Sequence, residues 1–212
     1  MSRGDEQRQR IIEALAVEIS VNGYGGTKIQ DIARGAKVSL RTFYAEFESK
    51  EACFLELYTL VTNALFDAIQ ASITFEDPWR VEMSKGFALH LAALEGAPRL
   101  TYAAMIEMAA LSDDARNLRS AWLERVGTMM CEQIEKGRGV YTDVPSRSLT
   151  PLMARAILGG LTEMVIDLII SNEYERLPEL IDVATELLWS AVTSGLDQSH
   201  LTAQVATQPT AN

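Results

Sequence analysis

Residues 27–47 read Thr27-Lys-Ile-Gln-Asp-Ile-Ala-Arg-Gly-Ala-Lys-Val-Ser-Leu-Arg-Thr-Phe-Tyr-Ala-Glu-Phe47. The spacing predicts two short helices joined by a tight turn. Ile29, Ile32, Ala33 and Ala36 fall on one side of the first, which Thr27 is expected to cap and Asp31 to favour electrostatically. Ala33 is small enough to let a second helix come close, and Val38 plugs the angle between them. Ser39 is the expected cap of that second helix, which reaches Phe47. Phe43 and Phe47, four apart, anchor it inward, leaving Leu40, Arg41, Tyr44 and Ala45 on the other side. Two short helices at a steep angle, with polar groups on the outer side of the second, form a helix-turn-helix, the shape that fits a DNA major groove.

Outward from this stretch the pattern stays helical, with no convincing strand run. Ile11, Ile12, Leu15 and Ile19 mark a first helix ended by Asn22-Gly23. A long fourth helix runs from the Glu48-Ser49-Lys50-Glu51 step to about Ile73. Asp77-Pro78 opens a fifth, Gly96-Ala97-Pro98 breaks the chain, and Tyr102 to Leu111 is an apolar helix. Ser112 caps a helix to about Lys136. Gly137 to Ser148 is expected as a loop, Thr150-Pro151 opens the next helix, and Pro178 opens the last, ending near Gly195. The expectation is an all-α protein of about nine helices. A three-helix N-terminal domain with a helix-turn-helix (1–50) precedes a larger helical ligand-binding and dimerisation domain (51–200) and a disordered tail (201–212).

A net charge of −10 argues against a nucleic-acid partner until the chain is divided. Residues 1–50 hold eight Lys/Arg and seven Asp/Glu, whereas 51–212 hold eleven and twenty-two. The acid sits in the second part, beyond the ~8–10 Å over which exposed charges act at physiological salt. The two cysteines, Cys53 and Cys131, lie far apart and suggest neither a disulfide framework nor a zinc site. No secretory leader opens the chain, and the most apolar stretch, Met164 to Ile170, is too short to cross a bilayer. Cytoplasmic location without membrane contact is the simplest expectation. HExxH, GxSxG, GxGxxG and P-loop patterns are absent, so no enzyme, cofactor or metal is expected.

The run Ile32-Ala33-x-x-Ala36-x-Val38-Ser39-x-x-Thr42-Phe43-Tyr44-x-x-Phe47-x-Ser49-Lys50-Glu51 resembles the DNA-binding signature of the TetR family of transcriptional regulators. The resemblance covers about fifty of 212 residues, near the N-terminus as in that family. It implies a sequence-specific repressor released from a double-stranded DNA operator by a small-molecule effector. By the same resemblance Ser39, Leu40 and Arg41 lie against the bases. Tyr44 donates to a phosphate, Lys50 neutralises another, and Lys28 and Thr42 are further phosphate candidates. Arg41 suits bidentate readout of guanine. Arg3, Arg8 and Arg10 are candidates for a basic arm. Lys37 and Arg41 depart from the family pattern, where glycine is frequent, so the turn is made by a residue that does not favour positive φ.

In the acidic body, Phe66, Phe87, His90, Tyr102, Met105, Met108, Trp122 and Met129 are candidate walls of an effector cavity, which the family resemblance implies. Taken singly, each of them is better explained by core packing. Glu107 and His90 are polar groups within apolar runs, and either is a candidate ligand contact. Leu158, Gly159, Gly160, Leu161 and Val165, with Leu180, Val183, Ala184, Leu187, Leu188 and Ala191, offer two apolar faces wider than one chain needs. A homodimer through the last two helices is expected, as a helix-turn-helix requires two heads roughly 34–36 Å apart. The rival readings are a dimeric DNA-binding protein that senses nothing, and a helical enzyme built on carboxylates.

Overall fold

The computed structural model describes residues 3–193. The expected tail at 201–212 and the end of the last helix lie outside the described residues. Those described form nine α-helices and no strand. They are α1 (Arg3–Gly26), α2 (Ile29–Gly35), α3 (Leu40–Glu46), α4 (Lys50–Ser72), α5 (Trp79–Gly96), α6 (Pro98–Tyr102), α7 (Asp113–Val140), α8 (Pro151–Ile170) and α9 (Leu180–Thr193).

Side-chain caps explain where four of these helices start. Ser39, Ser49, Ser112 and Thr150 each turn a hydroxyl oxygen onto the backbone N–H three residues on. Thr27 does not cap α2. Its hydroxyl donates to the Gly23 carbonyl at 2.7 Å, and Lys28, without a side-chain bond, occupies the cap position. Gly23, at φ 71°, supplies the break that ends the regular part of α1. The turn between α2 and α3 is made by Lys37 at φ 56°, a left-handed residue with no glycine to ease it.

Three segments differ from expectation. The stretch 103–110 is no uniform α-helix. After α6 it widens to a π turn over Ala103–Glu107 and tightens to a 3₁₀ turn over Met108–Ala110. α7 runs on through Gly137 to Val140 because Gly137 packs against the Trp79 indole, where a Cβ would lie 2.7 Å from Cε2. Pro178 sits inside a 3₁₀ turn (Tyr174–Glu179), and α9 starts two residues later.

The head, α1 to α3 with the start of α4, closes over Ile11, Leu15, Ile19, Ile32, Phe43 and Phe54, all at most 1% exposed. Burying one such side chain is worth about 1.5–3 kcal/mol. The same cluster continues past residue 50 through Cys53 and Leu57 and takes in Ala103, Met108 and Ala115. Head and body therefore share a core. α4, by length and composition alone, is apolar enough to cross a membrane. Here it runs through the fold, with Cys53, Phe54 and Leu57 in the head cluster and Phe66 and Ile69 against Met129 in the body. The remaining body is built from α5 and α7 to α9 around Trp79, Ile134, Ile157, Leu161, Ala184 and Leu188.

Candidate functional site: the head and the body cavities

α3 is seven residues long and sharply two-sided. Phe43 is fully buried and stacks near Phe47, with centroids 6.0 Å apart, while Leu40 is 42% and Tyr44 56% exposed. Arg41 and Ala45 are exposed alongside them. Ser39 serves twice, accepting from the Thr42 N–H at 3.0 Å and hydrogen-bonding the Thr42 hydroxyl at 2.9 Å. Ser39, Leu40, Arg41, Thr42 and Tyr44 are thus gathered on one short rod, with Lys28 exposed just before α2. The Val38 N–H donates to the Ala33 carbonyl at 2.9 Å, closing the turn that sets the angle of that rod.

Lys50 stands apart from this group. Its ammonium turns inward, donating to the carbonyls of Tyr24 at 2.7 Å and Thr27 at 3.0 Å. It ties the start of α4 to the α1–α2 junction, and burial lowers its pKa. Arg8, a candidate for the basic arm, is likewise structural. Its guanidinium forms a two-pronged pair with Glu56, donates to the Glu46 carbonyl at 2.6 Å and lies 4.1 Å over the Phe47 ring. The Glu46 carboxylate faces the same cation at 3.6 Å. Arg10 of the expected arm is exposed, and the side chain of Arg3 lies outside the described residues. Two cations that look like phosphate contacts in the sequence are therefore internal cross-links of the head.

The body holds two adjoining cavities. The first, about 1070 Å³ of empty space with the open solvent at its mouth included, lies between α5, α7, α8, the end of α4 and the middle of α9. The second, about 860 Å³ on the same measure, lies between α4, α5, α6 and α7. Phe87 and Met129 line the first, and His90, Met105 and Trp122 line both. The other four candidates lie outside both cavities, each for a local reason. Phe66 is buried against Trp122 and Met129, with the Arg125 guanidinium 3.7 Å over its ring. Tyr102 is 41% exposed, and Met108 belongs to the head cluster. Glu107 faces the head, where its charge adds to burial and to Glu51 in raising the pKa of Tyr24 and supports the charged form of Lys50 against burial. Met105 reaches both cavities, whereas Glu107 and Met108 of the same run face the head.

Sequence reasoning missed Glu82, a carboxylate 1% exposed at the cavity edge. It accepts from the backbone N–H groups of Thr74, Glu76 and Asp77 at 3.0–3.1 Å and from Lys85 at 2.9 Å. These bonds outweigh its desolvation and bring its pKa down to about 2. A single Glu in an ordinary helix pattern carries no signal of this; its partners come from the preceding loop. Among the described residues no three His, Cys, Asp or Glu side chains are grouped to hold a metal ion.

A short helix-turn-helix anchored by buried aromatics and set on a helical body is the architecture of DNA-binding regulators of transcription. Residues 11–57 match the family described as bacterial regulatory proteins, tetR family, and this head is a DNA-binding domain of that family. The regulator YdgC of Bacillus subtilis is 43% identical over 58 residues, 27% of this chain and 30% of that relative. The repressor DhaR of Mycobacterium sp. (strain GP1) is 27% identical over 190 residues, 85% of this chain and 91% of its own. Among solved structures, the FadR regulator of Bacillus subtilis in complex with stearoyl-CoA superposes at a TM-score of 0.70, with 21% identity over 89% of this chain and 98% of that one. The described residues thus share the fold of that solved regulator.

Proposed function

We propose that the protein is a homodimeric repressor that reads an operator through α3 and leaves it when a small molecule fills the body. The observation that carries this reading is the exposed edge of α3, where Leu40, Arg41 and Tyr44 stand clear of a rod pinned by Phe43 and Phe47. Arg41 contacts base edges, with Ser39 and Leu40 beside it, while Lys28, Thr42 and Tyr44 meet phosphates. Lys50 acts behind them by holding the head together. Residues 1–50 form the reading unit and 51–200 the sensing and pairing unit, in a cytoplasmic protein without catalytic activity.

Pairing is supported by what α8 and α9 leave uncovered. Leu161, Val165, Leu180, Ala184 and Leu188 are buried within the chain. Gly159, Gly160, Met164, Val183 and Leu187 stay exposed on one side, with nothing within 4 Å of either glycine's Cβ position. A second copy across a two-fold axis covers this strip. An apolar effector is supported by the walls of the cavities, and by the stearoyl-CoA held by the Bacillus subtilis relative. The non-sensing alternative leaves these cavities without a role. The route from cavity to head is short, because Met105 lines both cavities while Ala103 and Met108 of the same segment are packed in the head core.

Footprinting on DNA flanking the protein's own gene tests the reading. A protected two-fold site that weakens in Arg41→Ala is expected. Equal affinity of the folded variant for that site and for random DNA would overturn it.

A further inference from the structure

The two cavities share five wall residues: His90, Met105, Trp122, Leu123 and Thr162. They abut there, making a waist between two apolar chambers. The walls on either side are dominated by Leu, Ile, Val, Met and aromatic side chains. Two charged groups reach them, and both are engaged. Glu82 accepts from five donors, and Arg119 donates to the Met105 carbonyl at 3.2 Å. At the waist, the Thr162 hydroxyl donates to the Leu158 carbonyl at 2.7 Å, which leaves its oxygen free to accept. The His90 imidazole makes no hydrogen bond to any described residue. A neutral imidazole carries one donor and one acceptor, and leaving both unused in an apolar enclosure is costly unless a ligand or water meets them.

Taking the proposed effector-binding body as its basis, we infer that the effector is an elongated apolar molecule with one uncharged hydrogen-bonding group in mid-chain, such as a ketone, ester, thioester or amide. That group sits at the waist against His90, one apolar arm fills the chamber between α5, α7 and α8, and the other runs along α4 and α6. His90 is uncharged at neutral pH, since enclosure by protein lowers its pKa to about 4. It therefore offers a hydrogen bond and not an ion pair, which favours a carbonyl over a carboxylate.

The test uses the full-length protein, N-phenylnaphthylamine as a fluorescent reporter of the cavities, and three competitors of equal chain length. These are dioctyl ketone, with a central carbonyl, methyl pentadecyl ketone, with one near the end, and heptadecane, with none. Palmitate is the fourth competitor, with a terminal carboxylate. Dioctyl ketone is expected to displace the reporter at a concentration about fivefold below that of heptadecane, the ratio one net hydrogen bond produces. It should also outcompete the other two. In His90→Phe, dioctyl ketone and heptadecane should compete equally, while His90→Gln, which keeps a donor and an acceptor, should retain the preference. Reporter that fails to bind, tighter binding of palmitate or of the end-group ketone, or an undiminished preference in His90→Phe would each overturn the inference. DNA release is measured separately by gel retardation. A ketone that binds as expected but leaves DNA bound removes its role as effector while the waist assignment stands. A reversed ranking removes the waist assignment without touching repression.

Discussion

The Lys50 ammonium lies 4.1 Å over the centre of the Tyr24 ring and donates to the Tyr24 carbonyl at 2.7 Å. One cation thus closes the end of α1 onto the start of α4 from behind the reading helix, and this sets what its removal should do. Lys50→Ala is expected to destabilise the protein by about 1–3 kcal/mol, the cost of leaving buried carbonyls without their charged donor. The slope of log affinity against log salt should stay at the parent value, whereas a lost phosphate contact would reduce it by about 1. Denaturant melts and salt titrations of DNA binding distinguish the two roles.

Arg41 and Tyr44 belong to the exposed edge, so their loss should act on binding and leave folding intact. Arg41→Ala should cost about 1–3 kcal/mol of discrimination at one base pair and flatten specificity there. Tyr44→Phe should weaken binding to all sequences alike. Competition assays with single-base operator variants check both, with thermal unfolding as the control.

Lys37 holds φ 56° in the turn that aims α3. Replacing it with glycine removes the left-handed penalty but adds freedom to the unfolded chain, leaving a net gain of up to about 1 kcal/mol. The expected rise in Tm is about 2–4 °C in calorimetry. A fall would mean that the Lys37 side chain stabilises the turn in ways its geometry does not account for.

Glu82 fixes the α4–α5 loop over the first cavity, and Lys85 and Asp77 complete its charge network, with Lys85 Nζ 3.0 Å from Asp77 Oδ2. Its folded pKa, about 2, lies below the ordinary 4.5. The unfolded chain therefore binds the proton more readily, so this stability is complete above pH 4.5 and is lost as pH falls toward 2. His90 acts in the same direction in its own window, losing stability from pH 6.5 down to about 4. Glu82→Gln should cost about 2–4 kcal/mol at neutral pH, because an amide N–H then faces backbone donors, and should flatten the acid limb of the stability curve. Urea melts between pH 2 and 7 provide the measurement.

The Cβ position of Gly160 meets nothing within 4 Å inside the chain, so a side chain there affects only what lies outside it. Gly160→Arg should keep the helical spectrum and the thermal stability of the single chain. Light scattering at micromolar concentration should nonetheless show a monomer, and operator affinity should collapse. A dimer persisting in this variant would put the pairing surface elsewhere.

The local order of the chain determined the all-α class, the helix-turn-helix and the two faces of α3. Caps, breakers and 3.6-residue periodicity act over a few neighbouring residues, so Ser39, Phe43 and Phe47 declare themselves without the rest of the fold. Tertiary packing decided the partners of charges and the shape of empty space. Lys50 and Arg8 look like surface cations in sequence, and only the return of α1 against α4 brings them to Tyr24 and Glu56. Glu107 and Met108 lie in the same apolar run as Met105, yet they meet the head while Met105 reaches the cavities. Cavity walls, buried ion pairs and the covered half of an apolar face depend on contacts between residues far apart in the chain, and no local pattern encodes those.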